Sequence, residues 1–372
     1  MVLLSVLCNF NIIASASEFS VSAKSAILIN ADTLEVLYSK AEHEKRGIAS
    51  TTKILTSLIA LEYGEPQKEV TATKEAVTIE GTSIGLKSGD KITLLSLVYG
   101  MLLESGNDAA NVTAFAVSGN ITNFAKVMND YAKKIGMTNS NFTNPSGLTH
   151  KNHYSTAFDM ALLTSVAIKN PIFRKITATK SAVIDFGTPE ISRRLSNHNR
   201  LLKEYDGVFG VKTGYTKASG RCLVTACVKN GVTLIAVTLN AYDDWNDHKK
   251  LYDYGFSFYD KSVNIPELKD VKIPVICSDK NSVSVTYGYN FELSTNKELN
   301  SEIHIKNFLY PPVKKGDVVG EVVFKDAENN VVKTIPLISV ESANALYKEN
   351  EKEKTLFEKI KKFIKGLSIR YG

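Results

Sequence analysis

Cysteine is scarce in this chain: four residues in 372, Cys8, Cys222, Cys227 and Cys277. Cys8 falls inside an apolar opening segment, Met1 to Ala16, that closes on Ala14-Ser15-Ala16, the small-x-small pattern cut by signal peptidase. The segment lacks a basic n-region, and Leu7 stands where a lipoprotein would carry a small residue before its cysteine. Removing residues 1–16 leaves three thiols, an odd number. Cys222 and Cys227 lie five apart on one predicted strand, on opposite faces and too far apart to bridge. No essential disulfide is expected. Histidine numbers only six, with no H-E-x-x-H. His150-x-x-His153 has ligand-like spacing, but no further His, Asp or Glu stands in a recognisable arrangement with it. His153 is instead expected to open a helix through Tyr154-Ser155-Thr156-Ala157. Neither a metal nor any other cofactor is expected, and no Ser-His-Asp arrangement is visible.

Excess charge is nearly confined to one place. Residues 354–372 hold five Lys and one Arg against one Glu, a net +5 of the chain's +6. The basic balance is local, so no nucleic acid partner is implied. The same stretch is too short and too charged to span a bilayer. Leu356, Phe357, Ile360, Phe363, Ile364 and Leu367 recur at helical spacing between Lys359, Lys361, Lys362 and Lys365. That pattern reads as an amphipathic helix lying on an anionic membrane surface.

What is present suits a packed, two-domain protein: 372 residues are long for one core, and 44% are hydrophobic. Ala26-Ile27-Leu28-Ile29-Asn30 and Glu35-Val36-Leu37-Tyr38 read as an opening hairpin. Helical patterns occupy much of residues 50–170, strands return near 181–240, and Trp245 to Phe258 reads as a closing helix. This predicts an α+β fold, an antiparallel sheet with helices segregated around it. From residue 263 the runs become short and alternating, as in Val271-Lys272-Ile273-Pro274-Val275, Val283 to Tyr287, Glu302 to Ile305 and Val318 to Phe324. They predict a small all-β domain. The expected organisation is a signal peptide over 1–16, a catalytic domain over 17–262, a β-rich domain over 263–348 and an amphipathic helix over 349–372.

Three clusters carry chemistry. Ser50-Thr51-Thr52-Lys53 opens an apolar run that predicts a buried helix ending near Gly64. Positions i and i+3 share a helix face, so hydroxyl and amine can touch. A serine hydroxyl is a poor nucleophile until a base takes its proton, and a lysine serves only if it is neutral part of the time. Burial or a second cation makes it so, and Lys212 can be that cation. Ser105-Gly106-Asn107 sits between two helical runs, with Gly106 in a tight connection. Its hydroxyl and amide can relay a proton or bind a peptide group. Lys212-Thr213-Gly214 lies on a strand ahead of a hairpin that turns at Lys229-Asn230-Gly231. Gly214 lets a backbone come close to the strand edge. Gly81-Thr82-Ser83-Ile84-Gly85 also matches G-x-S-x-G, but a nucleophile elbow needs a helix at once, and Leu86-Lys87-Ser88-Gly89-Asp90 is a loop. Ser83 is therefore read as a loop residue at a cleft rim.

Each cluster is common alone; together and in this order they form the SxxK, SxN and KTG set. The chain resembles the low-molecular-mass penicillin-binding proteins of the D-alanyl-D-alanine carboxypeptidase type. The stretch Gly210-Val211-Lys212-Thr213-Gly214-Tyr215-Thr216-Lys217-Ala218-Ser219-Gly220 matches that family's surroundings of its third cluster. Asn144-Pro145-Ser146-Gly147-Leu148, His153 to Ala161 and Asn197-His198-Asn199-Arg200-Leu201-Leu202 also resemble family segments, and the likeness runs from about residue 22 to 345. The resemblance implies a β-lactamase/penicillin-binding-protein-like fold. It also implies that Ser50 is acylated with Lys53 as base, while Ser105 and Asn107 assist proton transfer and substrate binding. The backbone N–H groups of Ser50 and Tyr215 would form the oxyanion hole, and Lys212 and Thr213 would meet the carboxylate of the leaving D-alanine.

Some relatives add an arginine after the last catalytic strand; Ala241 to Asp247 has no basic residue here. The implied substrate is a peptidoglycan stem peptide ending in D-Ala-D-Ala, with β-lactams as acylating inhibitors. The β domain would be a stalk, and the enzyme would be exported and held peripherally on the outer face of the cytoplasmic membrane. Two other readings use the same residues. A β-lactamase would need a deacylating Glu-x-x-x-Asn-like segment, which is not seen before Lys212, and would not need the added β domain. A non-catalytic wall-binding or penicillin-sensing protein would not need Ser50, Lys53 and Lys212 all intact.

Overall fold

The computed structural model describes residues 19–346 except 64, 260, 264, 292, 296 and 297. The expected signal peptide over 1–16 and the expected helix over 349–372 lie outside the described residues. The chain divides into two compact units between Phe258 and Tyr259.

In the first unit, β1 (Ser25–Asn30) and β2 (Val36–Lys40) form the opening hairpin. Then come α1 (Lys53–Tyr63), β3 (Glu69–Thr71), α2 (Lys74–Val77), β4 (Lys91–Thr93), α3 (Leu94–Leu103), α4 (Asn107–Ser118), α5 (Ile121–Lys134), α6 (Ala157–Ala167) and α7 (Pro171–Ala178). β5 (Ser181–Gly187) and β6 (Glu190–Ser196) pair with each other in a separate two-stranded sheet. The short α8 (Leu201–Glu204) precedes β7 (Val208–Thr216), β8 (Gly220–Lys229), β9 (Val232–Leu239) and α9 (Asp244–Phe256). The main sheet runs β2-β1-β9-β8-β7 and is antiparallel throughout, which leaves β7 at an edge.

Local chemistry explains these boundaries. Thr93, Asn120 and Thr156 accept a hydrogen bond from the N–H three residues on, capping α3, α5 and α6. Asn170 caps α7 ahead of Pro171, whose missing N–H costs nothing in the first turn. Asn230 and Gly231 take φ of 48° and 75°, the left-handed pair that closes a two-residue hairpin between β8 and β9.

The helix expected to begin at His153 begins at Ala157 instead. Thr156 takes the cap, while Tyr154 and Ser155 run extended and bridge Asn141 and Arg46.

β9 is buried along its whole length because helices cover both faces. Ile235, Val237 and Leu239 enter the main core, whereas Leu234 points to α9, where Gly255 leaves no room for a side chain. α1 is buried from Lys53 to Leu61, so its lysine has no route to water along the helix surface.

The described part of the second unit is built of strands, as expected. β10 (Lys261–Ser262) pairs with β13 (Ser294–Thr295). β11 (Lys272–Pro274), β12 (Ser282–Tyr287), β14 (Asn300–Ile305), β15 (Val318–Lys325) and β16 (Val331–Ser339) form a sheet in the order β11-β12-β16-β15-β14. β16 was not foreseen, since Pro336 interrupts its pattern and proline is rare inside a sheet. Its carbonyl accepts from Gly288 N–H just beyond the β12 ladder, so the missing donor falls where that ladder ends.

A β-carbon at Gly255 would stand 2.5 Å from Leu28 and 2.8 Å from Leu234. Overpacking of this kind costs about 1–3 kcal/mol. Gly255→Val is predicted to lower the thermal midpoint of the first unit; an unchanged or higher midpoint by circular dichroism contradicts this packing.

Candidate active site

The first two clusters meet at one amine. A single 3-10 turn, Ala49–Thr52, leads into α1 and places Ser50 just ahead of the helix. Lys53 Nζ lies 3.1 Å from Ser50 Oγ, 2.7 Å from Asn107 Oδ1 and 2.7 Å from the Ser146 carbonyl oxygen. The Asn107 amide is oriented by its Nδ2, which donates to Glu80 O at 2.8 Å. The Ser146 carbonyl is held by a turn in which Asn144 Oδ1 accepts from Gly147 N–H at 2.8 Å and Leu148 N–H at 3.1 Å. Two of the three partners of the amine are thus pure acceptors. A neutral amine would keep two N–H groups for them and turn its lone pair to the Ser50 hydroxyl, whereas an ammonium would donate to all three.

Electrostatics favour that neutral form. Burial, and then the nearby Lys212, push Lys53 well below the ordinary lysine range; Asp108 pulls the other way with less effect. Lys212 is itself 2% exposed, and burial brings it down to about 7. Its Nζ donates to Thr213 O at 2.9 Å.

Ser50, Ser105, Thr213, Gly214 and Tyr215 line one cleft of about 340 Å³, with His198, Arg221 and Trp245 on its walls. Lys53, Asn107 and Lys212 are buried behind that lining. Ser105 holds φ at 62°, a left-handed conformation rare for a residue with a side chain. A β-carbon at Gly214 would meet Ser50 N at 3.0 Å and Thr51 N at 3.1 Å, so glycine lets β7 press against the Ser50 turn. Tyr215 is 65% exposed at the mouth.

Several residues here were not legible as functional. Asp108 ties down the loop before α3: Ser83 Oγ donates to it at 2.5 Å, and Ile84 N–H and Leu86 N–H each at 3.0 Å. Ser83, the G-x-S-x-G serine, is therefore bound into a loop anchor. His153 sits behind the Ala49–Thr52 turn, Nε2 2.8 Å from Thr52 Oγ1 and Nδ1 accepting from Thr143 N–H at 3.1 Å. Burial, then His150 and Lys53, bring it down to about 4, so it is neutral with both nitrogens engaged. Arg221 reaches the cleft because it pairs across the ladder with Tyr215, and its Nε and Nη2 donate to Asp244 Oδ1 at 2.9 and 2.7 Å. Only a cross-strand register could have placed it there.

A family model described as D-alanyl-D-alanine carboxypeptidase matches residues 12–243, and one described as the C-terminal domain of penicillin-binding protein 5 matches residues 247–345. The chain is 34% identical over 323 residues to D-alanyl-D-alanine carboxypeptidase DacF of Bacillus subtilis, covering 83% of each chain. It is 32% identical over 344 residues to DacC of Escherichia coli, covering 87% of this chain and 84% of that one. Among solved structures, DacD of Francisella tularensis matches with a TM-score of 0.61 at 25% identity, over 90% of this chain and 97% of that one. A Streptomyces DD-transpeptidase matches with a TM-score of 0.61 at 30% identity, over 64% of this chain and 98% of that one.

The fold and its cleft are those of the penicillin-binding serine peptidases. Within that class, the chain belongs to the D-alanyl-D-alanine carboxypeptidase family and is a serine-type enzyme of it.

The coupling between the two lysines has a pH signature. Removing a cation that disfavours the charged form of Lys53 raises the pH at which that amine titrates. For Lys212→Gln, the acid limb of penicillin acylation is predicted to move to higher pH than in the unaltered protein. A limb that stays put or moves down contradicts the coupling.

Proposed function

We propose that Ser50 is the acylated nucleophile and that Lys53, neutral in the resting site, is its general base. The observation that carries this is a fully buried amine 3.1 Å from the Ser50 hydroxyl, with Lys212 as a second cation disfavouring its charge. As Ser50 Oγ attacks the carbonyl between the last two D-alanines, its proton passes to Lys53. The oxyanion is received by the N–H groups of Ser50 and Tyr215, donors of a kind worth about 2.7–4 kcal/mol each. The C–N bond then breaks, and the leaving amine takes the proton by way of Lys53 and Ser105, with Asn107 holding the peptide group. Water adds to the ester with Lys53 again as base, which frees the shortened peptide and restores Ser50. β-Lactams enter by the same attack on their strained amide.

In this reading Thr213 and Lys212 flank the carboxylate of the departing D-alanine, and Arg221, held by Asp244 in the same cleft, is a further donor to it. Lys212 titrates near neutrality and bonds to its own strand, whereas a guanidinium stays charged at every working pH. Arg221 therefore fills the gap left by the absence of a basic residue over Ala241 to Asp247.

The wider reading has residues 1–16 removed on export, 17–262 as the peptidase domain, 263–348 as a β-rich stalk and 349–372 as the interfacial helix. Among the described residues no helix is long and apolar enough to cross a membrane. The enzyme would work from the outer face of the cytoplasmic membrane, attached peripherally, on stem peptides ending in D-Ala-D-Ala.

Intact-mass analysis after penicillin treatment is predicted to show one adduct per chain, absent from Ser50→Ala; an adduct on the variant would falsify the assignment. Steady turnover of the drug would mark a β-lactamase instead. For Arg221→Ala, KM for a peptide ending in D-Ala-D-Ala is predicted to rise about 10- to 100-fold, as loss of a charged hydrogen bond implies. The same peptide with an amidated C terminus should be unaffected. Equal effects on both peptides would remove Arg221 from carboxylate binding.

A further inference from the structure

We infer that an outer face of the second unit, built from Ile276, Phe308, Tyr310 and Leu346, is a lipid-contact surface. It would rest in the headgroup layer of an anionic membrane. This rests on the proposal that residues 349–372 form an interfacial helix.

Three backbone segments lie side by side at this face. Val275 bridges Leu309, and Ile276 N–H donates to Leu309 O at 2.9 Å. On the other side Ser278 bridges Ala345, and Leu346 N–H donates to Cys277 O at 3.1 Å. Val275, Leu309 and Ala343 enter a buried cluster. Ile276, Phe308, Tyr310 and Leu346 face outward, exposed by 40%, 44%, 67% and 69%. The Phe308 and Tyr310 rings meet edge to face at 5.4 Å and so present one surface. Exposed apolar side chains scattered singly need no explanation; a contiguous patch with a polar rim marks an interaction site.

The rim says which kind. Residues 306–315, Lys306-Asn307-Phe308-Leu309-Tyr310-Pro311-Pro312-Val313-Lys314-Lys315, hold three lysines and no acid, while Asp279 and Asp317 on neighbouring segments accept from Asn344 N–H and Lys314 N–H. All three lysines are exposed. Tyrosine and phenylalanine suit the depth where hydrocarbon gives way to headgroups. Lysine stems can lie along that apolar layer with their ammonium groups on anionic lipid.

The chain's own course supplies the second argument. The last described residue, Leu346, is part of the patch, and 26 residues follow it. Among them, residues 354–372 carry the net +5 and the helical apolar spacing. A tail lying on an anionic surface begins where this patch ends, so it holds these side chains at that surface. Two weak apolar contacts joined in one chain act with a high effective concentration.

Cys277 gives a probe inside the patch, since Cys222 and Cys227 are buried and it is the exposed thiol among the described residues. In the exported chain, residues 17–372, an environment-sensitive dye on Cys277 is predicted to shift to the blue on phosphatidylglycerol vesicles. Spin-labelled acyl chains should quench it. Phe308→Ser with Tyr310→Ser should weaken vesicle binding about tenfold or more while the thermal midpoint holds. Unchanged emission on vesicles that the exported chain does float with overturns the patch and leaves the tail proposal standing. Failure of the exported chain to float overturns the tail proposal and the patch with it. A dye already blue-shifted before vesicles are added puts the tail on the patch in place of lipid, which also overturns the inference.

Discussion

Everything in the catalytic unit is arranged about one buried amine. Lys53 starts a helix whose residues are covered as far as Leu61, so it cannot carry its charge out to water. An ammonium held there without compensation would be expensive, and such a group gives up its proton instead. Two carbonyl oxygens and the Ser50 hydroxyl surround it, enough to hold a neutral amine without a counter-ion. In the proposed mechanism, reactivity at Ser50 follows from the burial of Lys53.

The surrounding elements can be understood as the means of holding those partners still. Asn107 stands in the first turn of α4, and its neighbour Asp108 binds the loop that carries Glu80 and Ser83 to the same place. Asn144 closes the turn that aims the Ser146 carbonyl. Gly147 makes that turn possible, since a β-carbon there would fall 1.9 Å from Ala49 O. His153 and Thr52 secure the Ser50 turn from behind, with Thr52 Oγ1 donating to Ala49 O at 2.8 Å. From the other side β7 presses Gly214 against it and brings the second lysine. These contacts come from distant parts of the chain, and their common focus is why the folded sheet and helices are needed to make a three-residue spacing into a catalytic pair.

Legibility in the sequence followed the range of the interaction. Ser50 and Lys53 were readable because one helical turn joins them, and the β8–β9 hairpin was readable because Asn-Gly favours its turn locally. The α+β layering followed from hydrophobic period. What depends on register or backbone was hidden. Arg221 enters the cleft through a ladder pairing, and Ser146 contributes a carbonyl that any residue type could offer. β16 was obscured by Pro336. The start of α6 was displaced by Thr156, a better cap than His153, which the core had already engaged. His153 shows the same limit from another side: its spacing from His150 suggested ligation, whereas its position behind Ser50 makes it a neutral brace.

The family assignment and the geometry bear on different questions. Similarity over most of the chain establishes a serine D-Ala-D-Ala carboxypeptidase. The arrangement about Nζ is what the proposed activation of Ser50 rests on, and the proposed carboxylate role of Arg221 rests on its place in the same cleft. All of it turns on the charge of one side chain. The direct measurement is nitrogen and carbon NMR of isotopically labelled lysine in the resting enzyme at pH 7, with Lys53 assigned by substitution. The account predicts the chemical shifts of a neutral amine at Lys53; those of an ammonium ion would contradict it.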